Sequence, residues 1–229
     1  MIRTKGWGIA AVLVIATTLP AVAQAQTKTI SLEKPGEATQ RGVKAEPATH
    51  KGRKALRVTD AAQANTADDD RMMILSGMDF QDGVIEVELT GDVMSNAAGA
   101  ARGFVGLAFR VAPEAAAFEC FYLRPTNGRA DDQVRRNHSA QYISHPAFPW
   151  PRLRKEFPEK YESYVDLVPG EWTKVKIEVR GDKAKLYVHG AAQPTLVVND
   201  LKLGATRGAI ALWVGPGTVA HFADLRVMP

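Results

Sequence analysis

Apolar and polar residues alternate along most of the chain beyond residue 50. From Val84 to Thr90, Ile85, Val87 and Leu89 fall on one face and Glu86 and Glu88 on the other. That period of two is the mark of a half-buried antiparallel strand. Trp172 to Arg180 repeats it with Val175, Ile177 and Val179. Gly181-Asp182 then reads as a tight hairpin turn into Lys183 to His189, where Ala184, Leu186 and Val188 point inward. Further strands are predicted at Ala55–Thr59, Met72–Leu75, Phe104–Val111, Phe118–Arg124, Thr195–Val198, Gly208–Val214 and Val219–Val227. Thr27 to His50 is polar and predicts one edge strand and a loop. Roughly ten to twelve short strands at close spacing, with no helical period, predict an all-β antiparallel sandwich or jelly roll.

Two neighbouring strands carry more than a core pattern. In Phe104 to Val111 the bulky face is Val105, Leu107, Phe109 and Val111, and the other is Phe104, Gly106, Ala108 and Arg110. A glycine inside a strand marks a close approach by a ligand or by another part of the chain. The next strand puts Glu119, Phe121 and Leu123 on one face, with Cys120 and Tyr122 opposite, and points Glu119 to a face shared with Arg110. It leads into a polar, aromatic and basic stretch, residues 125–164, which reads as one long loop inserted in the scaffold. Loops of that length without their own elements are uncommon unless functional.

Composition changes the picture mainly at the N-terminus. Arg3 and Lys5 precede an apolar run from Ile9 to Val22, and Ala21-Val22-Ala23 and Ala23-Gln24-Ala25 each fit a small-x-small cleavage site. Residues 1–25 therefore read as a secretory signal peptide. Their apolar run is shorter than the roughly 20 residues of a spanning helix. The expectation is one exported domain over residues 26–229, periplasmic or extracellular, with no membrane span after cleavage. Loss of Arg3 and Lys5 takes the formal charge from +4 to +2, so nucleic acid is not an expected partner. The single cysteine, Cys120, excludes an internal disulfide, and its apolar strand neighbours predict a buried structural thiol.

Motifs of the C-terminal half add a resemblance. Gly170-Glu-Trp-Thr-Lys-Val-Lys-Ile-Glu-Val179, Leu186-Tyr-Val-His-Gly190, Gly208-Ala-Ile-Ala-Leu-Trp213 and His221-Phe-Ala-Asp-Leu-Arg-Val227 occur in that order. The order resembles the concanavalin A-like lectin/glucanase superfamily. In particular it resembles laminin-G-like sandwiches and secreted bacterial domains associated with 3-keto-glycoside hydrolysis. Gly106 to Arg110 and Phe118 to Leu123 are similar to two further strands of that group. The resemblance spans Gly83 to Val227 and matches the insertion poorly. His189 and Asp224 stand where such domains commonly have Asn. What it implies is a concanavalin A-like sandwich with a carbohydrate-related role. It requires no cofactor, and implies a structural Ca²⁺ near the last strand with Asp224 as the ligand.

The candidate chemistry follows from residue types. Sugars take aromatic faces for stacking and forked polar groups for hydroxyls. The insertion offers Tyr142, Trp150 and Tyr161, with Asn127, Arg129 and Arg135, and Arg110 joins them from the scaffold. Glycoside hydrolysis needs two carboxyls about 5–10 Å apart. The Glu-x-Asp-x-x-Glu glucanase signature is absent. Glu119 is the best single acid or base, assisted by His138 or Asp132, with an Arg110 ion pair as its structural alternative. Asp68-Asp69-Asp70 read as an exposed acidic turn, and no zinc spacing, Ser-His-Asp set or phosphate loop occurs. Arg135, Arg136, Arg152, Arg154 and Lys155 suit an anionic polysaccharide or pair with nearby Asp and Glu. The leading expectation is glycan binding through a concave sheet face and the 125–164 segment. A glycoside hydrolase or lyase similar to the 3-keto-glycoside hydrolases and a laminin-G-like partner-binding module stay open. Convergence of Glu119, Arg110 and His138 in one pocket would favour the enzyme. Oligomeric state is not legible.

Overall fold

The computed structural model describes residues 1–2, 27–33, 37–61, 71–97 and 99–228. The expected signal peptide and the Asp68–Asp70 turn lie outside the described residues, apart from the first two positions.

The strands are β1 (Lys28–Ile30), β2 (Ala38–Arg41), β3 (Val43–His50), β4 (Arg53–Asp60), β5 (Met72–Leu75), β6 (Gly83–Val93), β7 (Val105–Val111), β8 (Phe118–Leu123), β9 (Ala140–His145), β10 (Glu162–Ser163), β11 (Thr173–Arg180), β12 (Lys183–Val188), β13 (Leu196–Val198), β14 (Ala209–Val214) and β15 (Thr218–Met228). All pairings among the described residues are antiparallel. One sheet runs β13-β12-β11-β6-β15-β4-β3, and β1 pairs with β15 beyond the end of β4. The other runs β10-β9-β8-β7-β14-β5-β2.

The inner faces are the apolar faces of the alternating pattern. Ile85, Val87 and Leu89 of β6 stand beside Ile177 and Val179 of β11 and Phe222 of β15. From the second sheet come Leu107 and Phe109 of β7, Phe121 of β8 and Leu212 of β14. All join one buried cluster, so the two sheets share a core. The predicted strands from residue 55 onward are all present, with β6 running on to Val93. The structure is thus an all-β antiparallel sandwich.

Two bulges alter what the alternating pattern implies. The β14–β7 register shifts between Ala209 and Ala211, and Arg110 opposite takes φ of 53°. The β15–β6 register shifts between Ala223 and Arg226, and Asp224 takes φ of 52°. A bulge adds one unpaired residue and re-aims its side chain.

Two expectations are corrected. Residues 27–50 hold three strands rather than one edge strand. The 125–164 segment is not one loop. It supplies β9 and β10 to the sheet and two short helices, α1 (Gln133–Asn137) and α2 (Trp150–Glu156). Asp132 caps α1 by accepting from Arg135 N at 3.1 Å. Pro149 and Pro151 open α2, where missing N–H donors cost nothing. Leu153 anchors α2, buried to 1% exposure, and Arg152 pairs with Glu156 one turn on.

Candidate functional site

The site grows from one row of residues on the outer face of the seven-stranded sheet. Met72, Trp213, Gly106, Tyr122, Gln141 and Glu162 stand opposite one another across β5, β14, β7, β8, β9 and β10. Outer-face residues of a central strand are polar when they meet water. Here Trp213 and Tyr122 are aromatic and buried, and Arg135, His138, Trp150 and Arg154 of the 125–164 segment stand over this face. Gly106 is the gap in the row. A Cβ there would lie 2.1 Å from Phe121 O and 2.6 Å from Tyr122 Cβ. The close approach that the glycine signals is therefore by the chain's own β8. Across it the Tyr122 and Trp213 rings stack, centroids 4.8 Å apart at 29°.

Above the row opens a cavity of about 360 Å³. Phe104, Tyr122, Trp150 and Trp213 form its apolar wall, and Arg102, Arg124, Arg135, Arg154, His138 and Asn127 its polar one. Arg124 is the centre of the polar wall, exposed by only 4%. It donates to His138 O at 2.8 Å, Tyr122 Oη at 2.9 Å and Gln141 Oε1 at 3.0 Å, and reaches Glu162 at 3.4 Å. Its guanidinium also lies 5.0 Å from the Tyr122 ring centroid. The Arg154 guanidinium sits 4.5 Å over the Trp150 ring and grips both oxygens of Glu162. These stacked arginines hold the two aromatic side chains in fixed orientations.

Charge in the cavity is lopsided. Glu162 serves Arg124 and Arg154 and stands 3.6 Å from His138. Arg102 donates to Gly99 O and Ala101 O of its own turn. Arg135 makes long bonds of 3.4 Å to Thr126 O and Asn127 Oδ1, and its Nε is buried without an acceptor. Among the described residues neither Arg102 nor Arg135 has a carboxylate partner. Burial, with Arg135 and Arg124 nearby, pulls the Arg102 guanidinium below its ordinary pKa. Burial also pulls the His138 imidazole down, against the opposing pull of Glu162.

The structure separates the sequence candidates. Asn127, Arg135, His138 and Trp150 meet at the cavity. Asp132 is exposed beside His138 as the α1 cap. Arg129 is exposed and makes a forked pair with Asp166 at 2.8 and 2.9 Å. Glu119 lies inside the sandwich at 0% exposure, accepting from Tyr142 Oη at 2.6 Å and from Leu203 N at 2.8 Å. Burial pushes its carboxyl above the ordinary range, and those two bonds oppose the shift. Tyr142 is interior with it, and Tyr161 is buried to 1%, donating to Asp200 at 2.7 Å. Arg110 does not pair with Glu119. Its bulge turns it to Gln81 O, Gly181 O, Gly204 O and Asp82 at the end of the sandwich. Glu119, Arg110 and His138 thus do not converge. Sequence reasoning missed Arg102, Phe104, Tyr122, Arg124, Arg154 and Trp213 as cavity residues, although Arg154 stood in the basic cluster. Gly106, flanked by aromatic strands, was the available signal.

Asp224 is exposed on its bulge and ion-paired with Arg53. Among the described residues no group of three or more His, Cys, Asp or Glu side chains is placed to hold a metal. The expected calcium ligand, Asp224, is thus held by Arg53. A second depression, of about 400 Å³, lies on the other sheet around Glu86, Lys174 and Tyr187. Of its charges, Glu88 and Asp224 meet Arg53 and Lys176 meets Glu178. The aromatic wall and uncompensated arginines make the first cavity the better site.

No family model and no curated protein matches the sequence. Solved structures do match. A Bacillus subtilis protein of unknown function with a galectin-like fold aligns at 12% identity, over 81% of this chain and 87% of that one, with a TM-score of 0.51. A Bacillus subtilis carbohydrate-binding module aligns at 14% identity over 90% and 97%, with a TM-score of 0.47. A Bacillus licheniformis β-glucanase aligns at 12% identity over 89% and 92%, also at 0.47. At these identities the likeness is one of fold and rests on the first of the three. The chain thus shares the galectin-like sandwich fold of that protein.

Proposed function

We propose that this chain binds a glycan in the cavity on the outer face of its seven-stranded sheet. The observation that carries the reading is the wall of Trp150, Tyr122, Trp213 and Phe104 set against forked donors. Pyranose rings offer C–H faces that pack on aromatic rings and hydroxyls that take guanidinium and amide groups. A volume of about 360 Å³ suits one or two sugar units, by the usual size of small-molecule pockets. Residues 1–25 make the protein an exported one on this reading, working in the periplasm or outside the cell.

Binding is favoured over hydrolysis by the cavity's lining. Glycosidases place two carboxyl groups across the scissile bond. Among the described residues no Asp or Glu lines this cavity. Glu162 lies behind it in two arginine pairs, and Glu119 is enclosed in the sandwich.

The test is a glycan array run beside a turnover assay on keto- and ordinary glycosides, with Trp150→Ala as the control. Binding that falls at least tenfold in the variant, without turnover, is the expected result. An array with no bound glycan would overturn the reading, and turnover would replace binding with catalysis.

A further inference from the structure

We propose that the glycan taken by this cavity is an acidic one, its anionic substituent seated between Arg102 and Arg135. This rests on the glycan-binding reading and names the ligand's charge class. Four guanidiniums line the cavity, and Glu162 stands behind it on Arg124 and Arg154. Among the described residues Arg102 and Arg135 are left without a carboxylate partner.

Such an excess is not what a neutral sugar asks for. Hydroxyls are satisfied by amides, carbonyls and a single charged fork, and the pocket already holds Asn127 and His138. Packing like charges into a partly buried space is unfavourable unless an anion joins them. The chain shows that cost in Arg102, whose guanidinium is drawn down by its own burial and by Arg135 and Arg124. Two further details agree with an anionic ligand. Arg135 Nε is buried with no partner among the described residues. Arg102 meets two carbonyls of its own turn through Nη1 alone. A carboxylate or sulfate oxygen satisfies such donors with charge-assisted, forked hydrogen bonds. The partly exposed Trp150 and Phe104 rings then hold the sugar ring that carries it.

Outside the cavity, Arg152 of the same segment is paired with Glu156 and Arg129 with Asp166, while Arg136 meets the Tyr164 hydroxyl and ring. Variants of the cavity arginines therefore separate this proposal from a general basic face.

Calorimetry and an array together test it. One arm holds hexuronate oligosaccharides, a second their methyl esters, a third sulfated oligosaccharides, and a fourth neutral oligosaccharides of matched linkage. Expected is binding in the first or third arm, at least tenfold weaker for the uncharged counterparts, with affinity falling as salt rises. Arg102→Gln and Arg135→Gln, each checked by its melting temperature, should cost the acidic ligand at least tenfold. Binding of neutral or esterified sugars as tight as the acidic ones overturns this proposal and leaves glycan binding intact. No binding in any arm overturns both.

Discussion

Tyr122 and Trp213 stack across Gly106, with ring centroids 4.8 Å apart. The stack joins β8 to β14 over the intervening strand and makes the floor of the cavity. It exists because the residue between them has no side chain. Gly106→Ala should therefore lower stability by about 3 kcal/mol, the upper end of the usual range for overpacked interiors. Its Cβ meets backbone oxygen at 2.1 Å, which rotamer changes cannot relieve. Urea midpoints of the two proteins measure this. A variant as stable as the parent would show that β8 is not held this close to β7.

Arg110 shows what the alternating pattern can and cannot convey. The strand Phe104–Val111 was legible, since Val105, Leu107 and Phe109 repeat every second residue. The bulge that takes Arg110 out of that repeat leaves no mark in hydrophobicity, because it depends on the register of β14. Glu119 does share its strand face with Phe121, but that face stands opposite Phe109 in the interior and not with Arg110, and its inward direction depends on Tyr142 and Leu203, distant in sequence. Tyr142 and Tyr161 looked like loop aromatics because the six-residue β9 and two-residue β10 are short and polar. The cavity draws on Arg102 and Trp213, over 100 residues apart, and only the fold brings them together.

The Arg110 guanidinium is 1% exposed as a residue and ties three turns together through four donors. Arg110→Met should cost about 3 kcal/mol, because it strips donors from Gln81, Gly181 and Gly204 carbonyls at once. Glycan affinity of the folded variant should stay within twofold, since Arg110 lies away from the cavity. Affinity and denaturation midpoints on one preparation separate the two effects. A selective loss of affinity at unchanged stability would return Arg110 to the ligand site.

His221 predicts an acid-side slope in stability. Its ring stacks on His50 at 4.2 Å between centroids, and its Nδ1 meets Thr90 Oγ1 at 3.2 Å. Burial first, then His50 and Arg57, hold its pKa down at about 4, against an ordinary 6.5. The unfolded chain therefore takes up this proton first as pH falls. Stability should decline from about pH 6.5 to pH 4 and then lose no more on this account. After a discount for the ring's partial exposure the loss is about 1–2 kcal/mol. His221→Gln should flatten the profile in that window. Urea midpoints at pH 7.5, 5.5 and 4.0 give the slope, and a parent profile already flat there contradicts the burial argument.

Glu119 predicts a slope of opposite sign. Burial raises its carboxyl above the ordinary 4.5, with the hydrogen bond from Tyr142 as the largest opposing effect. The folded state thus holds this proton more tightly than the unfolded chain does. Its contribution to stability is complete below about pH 4.5 and is lost as pH rises through the raised value. Glu119→Gln removes the titration, so the variant should gain on the parent as pH rises through that window. Tyr142→Phe takes the Oη donor from a carboxyl that water cannot reach, and should cost about 1–3 kcal/mol near neutrality. Neither change touches the outer face of the sheet, so glycan affinity should be unaltered in both. Turnover on keto-glycosides that disappears in a stably folded Glu119→Gln protein would instead make this carboxyl catalytic. The interior would then have to open to substrate, which hydrogen exchange at the Leu203 amide would register.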